Sequence, residues 1–301
     1  MSGQSSTSSL LEPRLVRALD ALRLAGRRTP ASQSLGHWRS RATGSSVEFS
    51  DYRTYTAGDD FRRIDWNAYA RLERLFVRLY RAEENLTLAV LLDTSRSMGW
   101  GQPSKLRLAA QLAAALSYVA LRRDDHVELA TLREGGVHER APRVSGQASA
   151  WSVWRFLERL SCGGTTDLDA SLDAWARQTR GGGLALVISD LLSPSGYQAG
   201  LDALLGHRHE VLVLQVLSPD ELAPSADLVG EWRLQDVESS EAVEATITPA
   251  TMRSYQRLLQ TYTREVAEHC RRRGLTYLLL PSSVSIDQVV LRTLRRAGVL
   301  V

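Results

Sequence analysis

The sequence predicts an α/β fold: a doubly wound, mainly parallel sheet with an inserted β-hairpin and an irregular amino-terminal extension. Three observations predict it. Apolar runs recur at "LTLAVLLD", "HVELATL", "GLALVISD", "EVLVLQVL" and "LTYLLLP", each continuous rather than alternating, as in strands covered on both faces. Stripes at helical spacing separate them, and strands alternating with helices imply right-handed crossovers that lay helices over the sheet. Two of the runs end on aspartate, Asp93 and Asp190, where an open α/β sheet keeps its ligand crevice.

The elements follow in order. Leu11, Leu15, Leu19 and Leu22 recur at helical spacing and predict a short amphipathic helix. From about Arg27 to Arg71 neither period is sustained, which predicts an irregular segment. This sets a division into residues 1–72, helix and irregular segment, and residues 73–301, the α/β domain. "RLFVRLYRAEENLTLAVLLD" predicts two strands with a polar turn near Glu84 and Asn85. Leu106, Ala109, Leu112, Ala113, Leu116 and Val119 mark one helix, and "DLDASLDAWARQ" marks another. Trp151 and Trp154, close to Phe156, are expected on one helix face against the core. "GEWRLQDVESSEAVEATIT" alternates around a Ser-Ser turn and predicts the hairpin insert at about 229–247. Met252, Tyr255, Leu259, Tyr262, Val266 and Cys270 form a long stripe, with Thr248 as its cap, Pro249 in its first turn and Gly274 at its end. The last helix is expected to start at Ser285, with Gln288 completing a capping box.

Composition narrows the function classes. A balance of 37 basic against 34 acidic residues is too even to argue for nucleic acid, and Lys105 is the only lysine. Cys162 and Cys270 are too few for a disulfide framework or a zinc cluster, so a reducing compartment is expected. The first residues have no signal-peptide pattern, and no apolar run reaches the roughly 18 residues of a membrane helix. The expectation is a soluble, cytoplasmic protein without membrane insertion. His37 lacks companions and reads as a packed or capping residue.

The chemistry gathers at "LLDTSRSMGWG". In an extended turn Asp93, Ser95 and Ser97 can point to one side, offering a carboxylate and two hydroxyls to a common point. Asp190 ends a second strand, and "CGGTTDLDASL" supplies Thr165 and Thr166 just before a helix, on a loop whose glycines permit close approach. Two carboxylates and three hydroxyls make an oxygen-only site suited to Mg²⁺ or Mn²⁺. The plainer reading of the motif is a turn in which Ser95 or Ser97 caps the following helix.

"DTSRS" resembles the Asp-x-Ser-x-Ser signature of von Willebrand factor A domains, whose metal-ion-dependent adhesion site adds a threonine and an aspartate from later loops. Thr166 matches that threonine, with Thr165 a possible substitute, and Asp190 matches the aspartate. The resemblance implies a Rossmann-like fold in which the serines and the threonine contact the ion, Asp93 and Asp190 act largely through water, and an acidic residue of a partner completes the coordination. The stretch from Gly36 to Glu84, with Gly58, Asp59, Asp60, Arg63, Asp65 and Trp66 as its signature, resembles the bacterial family catalogued as domain of unknown function 58. That resemblance implies a partnership with a MoxR-type AAA+ ATPase or its client, as adaptor or co-chaperone. On the residues alone, the charges of "DYRTYTAGDDFRRIDW" read first as structural pinning through arginine–carboxylate pairs and turns, with a partner surface as the second reading.

Enzyme readings fare less well. A haloacid-dehalogenase phosphatase needs a second aspartate as general acid where this chain has Ser95. Neither G-x-x-x-x-G-K-[ST] nor G-x-S-x-G occurs. The expectation is therefore a non-enzymatic module. Its alternative is a metal-dependent phosphohydrolase or nuclease using Asp93 with Asp59 and Asp60, which requires the irregular segment to fold over the sheet edge.

Overall fold

The computed structural model describes residues 10–25, 48–56, 59, 61, 64–81, 85–179, 181–239 and 241–301. The chain divides into two compact units, residues 28–85, and residues 1–27 together with 86–301. Helix α1 (Pro13–Leu19) opens with proline in its first turn, and the predicted stripe of Leu11, Leu15, Leu19 and Leu22 is buried in the larger unit.

In the smaller unit β1 (Glu48–Thr54) pairs antiparallel with β2 (Phe76–Arg81), and α2 (Trp66–Leu72) lies between them in sequence. The smaller unit therefore runs through β2 to residue 85. The reason is long-range: β2 takes its hydrogen bonds from β1, a pairing that local periodicity does not encode. Asp65 caps α2, its carboxylate accepting from the Asn67 and Ala68 amides at 2.9 and 3.1 Å. His37, Gly58, Asp60, Arg63 and Glu84 lie outside the described residues.

The larger unit is built from β3 (Thr87–Asp93), α3 (Lys105–Leu121), β4 (His126–Arg133), β5 (Gly136–Arg140), α4 (Ala150–Glu158), α5 (Leu168–Gln178), β6 (Gly183–Ser189), α6 (Gln198–Gly206), β7 (His209–Leu217), α7 (Pro219–Leu222), β8 (Gly230–Gln235), β9 (Ala242–Ile247), α8 (Pro249–Arg273) and β10 (Thr276–Pro281). A final helical stretch joins α9 (Ile286–Gln288), a π turn over Val289–Thr293, and α10 (Leu294–Arg296). The six-stranded sheet runs β10-β7-β6-β3-β4-β5, parallel except for the edge strand β5, which pairs antiparallel with β4. This is a mixed α/β fold with a mainly parallel central sheet.

Period-two alternation splits β3 between two cores. Leu88, Val90 and Leu92 face α3 and α4, while Ala89 and Leu91 face α5, α6 and α8. All five are fully buried, and each leucine contributes about 1.5–3 kcal/mol of hydrophobic stabilisation. Burial on both faces is why the strands read as unbroken apolar runs. The chain moves outward from β3 through β4 to β5, then returns to the other side of β3 for β6, β7 and β10. The adjacent carboxyl ends of β3 and β6 are thus the point where strand order reverses, the position at which open α/β sheets keep their ligand sites.

Strands β8 and β9 pair antiparallel as a separate two-stranded ribbon between β7 and α8. Helix α8 begins with a Thr248–Thr251 capping box and ends at Gly274, in the left-handed conformation at φ 73°. Two expectations change. Ser285 caps α9 by accepting from the Gln288 amide, but Gln288 returns no bond to the cap. Trp154 stacks on Tyr118 and donates to the Ala114 carbonyl, whereas Trp151, three residues earlier, points outward. The core side of α4 runs through Val153, Phe156 and Leu157. Sequence reading overlooked β1 and α2, short elements inside the stretch expected to be irregular, as well as β5, which is short and half-exposed, and α6, whose stripe is brief.

Candidate metal centre

Asp93 is the last residue of β3 and is almost wholly buried. Its Oδ1 accepts from the Ser95 amide at 2.9 Å, closing a tight turn, and its Oδ2 accepts from the Ser189 hydroxyl at 2.6 Å. Burial, reinforced by the neighbouring Asp190 carboxylate and outweighing these hydrogen bonds, pushes the Asp93 carboxyl up to about 6. Ser95 stands at the start of a 3₁₀ turn (Arg96–Gly99), yet its hydroxyl makes no capping bond. Instead Ser95 Oγ lies 3.1 Å from Ser97 Oγ, which donates to Asp190 Oδ2 at 2.8 Å. The capping reading of the motif therefore does not describe these hydroxyls. Met98, fully buried, ties the turn to the core.

The threonine loop is stitched to this turn through backbone. The Gly163 amide donates to the Thr94 carbonyl at 3.0 Å, and the Arg96 amide to the Gly164 carbonyl at 3.2 Å. Gly164 sits at φ +67°, and a Cβ there would come 2.2 Å from Glu134 Oε1 and 2.9 Å from the Arg133 side chain, so the close approach requires glycine. Thr166 is buried with its hydroxyl donating to Glu238; Thr165 is exposed, and its carbonyl accepts from the Glu134 amide. Thr166 is the better placed of the two.

Two side chains that sequence reading did not assign to the site complete its electrostatics. Lys105, first residue of α3, is fully buried, with its ammonium 2.7 Å from Asp190 Oδ2 and 2.6 Å from Glu221 Oε1. Burial pulls the Lys105 ammonium down, but Asp190 and Glu221 together outweigh it and hold the group above its usual value. The same Glu221 forms a capping box with Ser218 on α7, so the lysine's partner is itself fixed by a helix start. A cation at a helix amino terminus opposes the dipole, and the two carboxylates offset that cost. Glu238, in the turn between β8 and β9, accepts from the Thr166 amide at 2.8 Å, the Thr166 hydroxyl at 3.0 Å and, more weakly, the Ser97 amide at 3.4 Å. Its only signal in the sequence was an acidic residue at a hairpin tip.

The five expected residues thus line the carboxyl edge of β3 and β6 as one linked polar group. Among the described residues no cluster of three or more His, Cys, Asp or Glu side chains is arranged to hold a metal ion. The donor chemistry here is of another kind, hydroxyls backed by carboxylates. Asp190 and Glu221 pair with the Lys105 ammonium, whereas Asp93 and Glu238 accept from hydroxyls and amides only, an oxygen-rich set of the kind that suits a hard divalent cation. Asp60 lies outside the described residues, and Asp59 accepts from the Thr56 amide and hydroxyl at 2.9 and 3.0 Å within the smaller unit.

The profile of the family described as "Protein of unknown function DUF58" matches residues 51–269, a span that contains every residue of this site. The chain belongs to this family. Two similar relatives are Uncharacterized protein Rv1480 of Mycobacterium tuberculosis and Uncharacterized protein Mb1516 of Mycobacterium bovis, each 30% identical over 274 residues, covering 89% of this chain and 85% of theirs. Among solved structures the chain is similar to the conserved hypothetical protein BatB from Bacteroides thetaiotaomicron, at 17% identity and TM-score 0.44, covering 71% of this chain and 99% of that one. It is also similar to an aerotolerance-related membrane protein from Bacteroides fragilis, at 18% identity and TM-score 0.45, covering 71% and 98%. Among the described residues no helix is long and apolar enough to cross a membrane.

Proposed function

We propose that this chain is a non-enzymatic interaction module of von Willebrand factor A type, which presents Mg²⁺ or Mn²⁺ at the sheet edge to an acidic residue of a protein partner. The observation that supports it best is the convergence of Asp93, Ser95, Ser97, Thr166 and Asp190 where strand order reverses. Ser95, Ser97 and Thr166 would hold the ion through their hydroxyls. Asp190 orients the Ser97 hydroxyl, and Asp93 fixes the turn that carries both serines. Bound there, the ion would supply a Lewis-acidic face for an incoming carboxylate. Ser95 stands where a phosphatase would need its general acid, which favours binding over turnover.

The partner we propose is a MoxR-type AAA+ ATPase or its client, with the chain as a cytoplasmic adaptor or co-chaperone; this rests on the resemblance of the 36–84 stretch. The test is the affinity of the full chain for a MoxR-type ATPase of the same cell, measured with Mg²⁺ and with chelator. Binding in Mg²⁺ that is lost in chelator, in Asp93→Ala and in Ser95→Ala supports the proposal. Equal binding in all four conditions refutes the metal's part in it.

A further inference from the structure

The turn between β8 and β9 brings a carboxylate of this same chain to the mouth of the site. Asp236 Oδ1 accepts from the Glu238 and Ser239 amides at 2.8 and 2.5 Å, which sets the turn and aims Glu238 inward. Both Glu238 oxygens are then engaged by the loops that carry the candidate ligands: Oε2 by the Thr166 amide, Oε1 by the Thr166 hydroxyl and the Ser97 amide. Arg96, between the two serines, donates to the Val237 carbonyl at 3.2 Å and fastens the same turn from the other side. Four donors from two separate loops thus converge on two adjacent residues of one hairpin tip. Elsewhere the hairpin is open to solvent, with Trp232, Leu234 and Val243 exposed. The contacts of Val237 and Glu238 join its tip to the site.

We propose that Glu238 is the built-in carboxylate of this centre: the β8–β9 tip occupies the place from which an outside acidic residue would approach, so such a residue gains access only when the tip lifts away. The proposal deepens the metal-site reading and rests on it for the ion, but the Glu238 contacts themselves stand without metal. A carboxylate held by the Thr166 amide and hydroxyl and the Ser97 amide serves either state. Without the ion it is hydrogen-bonded by Thr166, and with the ion it is an anionic ligand already in place. Displacing it exchanges one carboxylate for another, which makes the site selective for acidic partners that also grip or move the hairpin.

The experiment compares full-length wild type, Glu238→Gln and Asp93→Ala in two steps. First, amide hydrogen exchange in chelator reads the contact alone. The Thr166 amide and the 236–241 turn are expected to exchange about tenfold faster in Glu238→Gln than in wild type, the loss of a charge-assisted hydrogen bond. Second, bound Mn²⁺ is read by water-proton relaxation while acetate, the carboxylate probe, is added. Acetate is expected to lower the relaxation of Glu238→Gln at concentrations that leave wild type unchanged, because only the variant has an open position. Equal exchange in wild type and variant overturns the proposal, and so does an equal acetate response. If no protein binds Mn²⁺, the metal reading fails and the exchange result alone decides the Glu238 contact. Loss of Mn²⁺ in Asp93→Ala with wild-type acetate behaviour in Glu238→Gln leaves the metal site standing and removes the built-in carboxylate.

Discussion

Breaking the buried ion pair beneath the site tests the electrostatic account quantitatively. Lys105 has no exposed side-chain surface and Asp190 has 1%, so neither charge is stabilised by water when its partner is removed. Removing one partner of such a pair costs about 3–5 kcal/mol, because a desolvated charge is left behind. In Asp190→Ala the Lys105 ammonium keeps Glu221, whose side chain is 18% exposed, so the lower end applies, about 3 kcal/mol. In Lys105→Met both carboxylates lose their cation, Asp190 keeping the Ser97 hydroxyl and the Leu192 amide and Glu221 its capping-box bond from the Ser218 amide, and the cost is about 3–5 kcal/mol. The double variant removes both charges of the Lys105–Asp190 contact, though Glu221 is left without its cation, and should be more stable than the sum of the two losses by about 1–3 kcal/mol. The lysine lies above its ordinary value, so its contribution is fully present at neutral pH and is lost only as pH rises through that raised value. Urea unfolding at pH 7 in chelator reads all four proteins without a metal contribution. Single variants within about 0.5 kcal/mol of wild type, or strictly additive losses, would refute the reasoning.

Three further outcomes follow from the same geometry. Asp93 titrates near 6, so divalent-metal affinity should rise about tenfold between pH 5 and pH 7 as the carboxylate ionises, checked by calorimetric Mn²⁺ titration; a flat profile contradicts it. In the metal-free protein the sign is opposite: a carboxyl raised from 3.8 to about 6 stabilises fully below its unfolded value and loses that stabilisation as pH rises through about 6. Asp93→Asn should therefore be more stable than wild type in chelator at pH 8, by up to about 3 kcal/mol, read by urea unfolding. Gly164→Ala should cost about 1–3 kcal/mol and weaken Mn²⁺ binding, since a Cβ at φ +67° is strained and meets Glu134 and Arg133; wild-type values for both would show that the loop can move.

What the sequence made legible, and what it hid, divides along the range of the interactions. Asp93 and Asp190 stand out because each terminates an unbroken apolar run, and the runs are unbroken because helices cover both sheet faces. Ser95 and Ser97 are legible by their period of two from Asp93. The cap at Thr248 and the stop at Gly274 are local chemistry and are read directly. By contrast Lys105 is a lone lysine at a helix start, and only the fold puts Asp190, 85 residues away, against its ammonium. Glu238 meets Thr166 across 72 residues, through a hairpin whose own alternation says nothing about where its tip lands. The smaller unit's sheet was hidden in the same way, since β2 belongs with β1 by pairing and not by pattern.

The central claim is that Asp93, Ser95, Ser97, Thr166 and Asp190 form a divalent-metal site, and a thermal-melt titration with Mg²⁺ and Mn²⁺ after chelation tests it most directly. Wild type should be stabilised in a saturable way, by about 2.7 kcal/mol at a hundredfold excess over Kd, while Asp93→Ala and Thr166→Ala should show no such shift. An equal shift in all three proteins, or none in wild type at millimolar metal, would contradict the account.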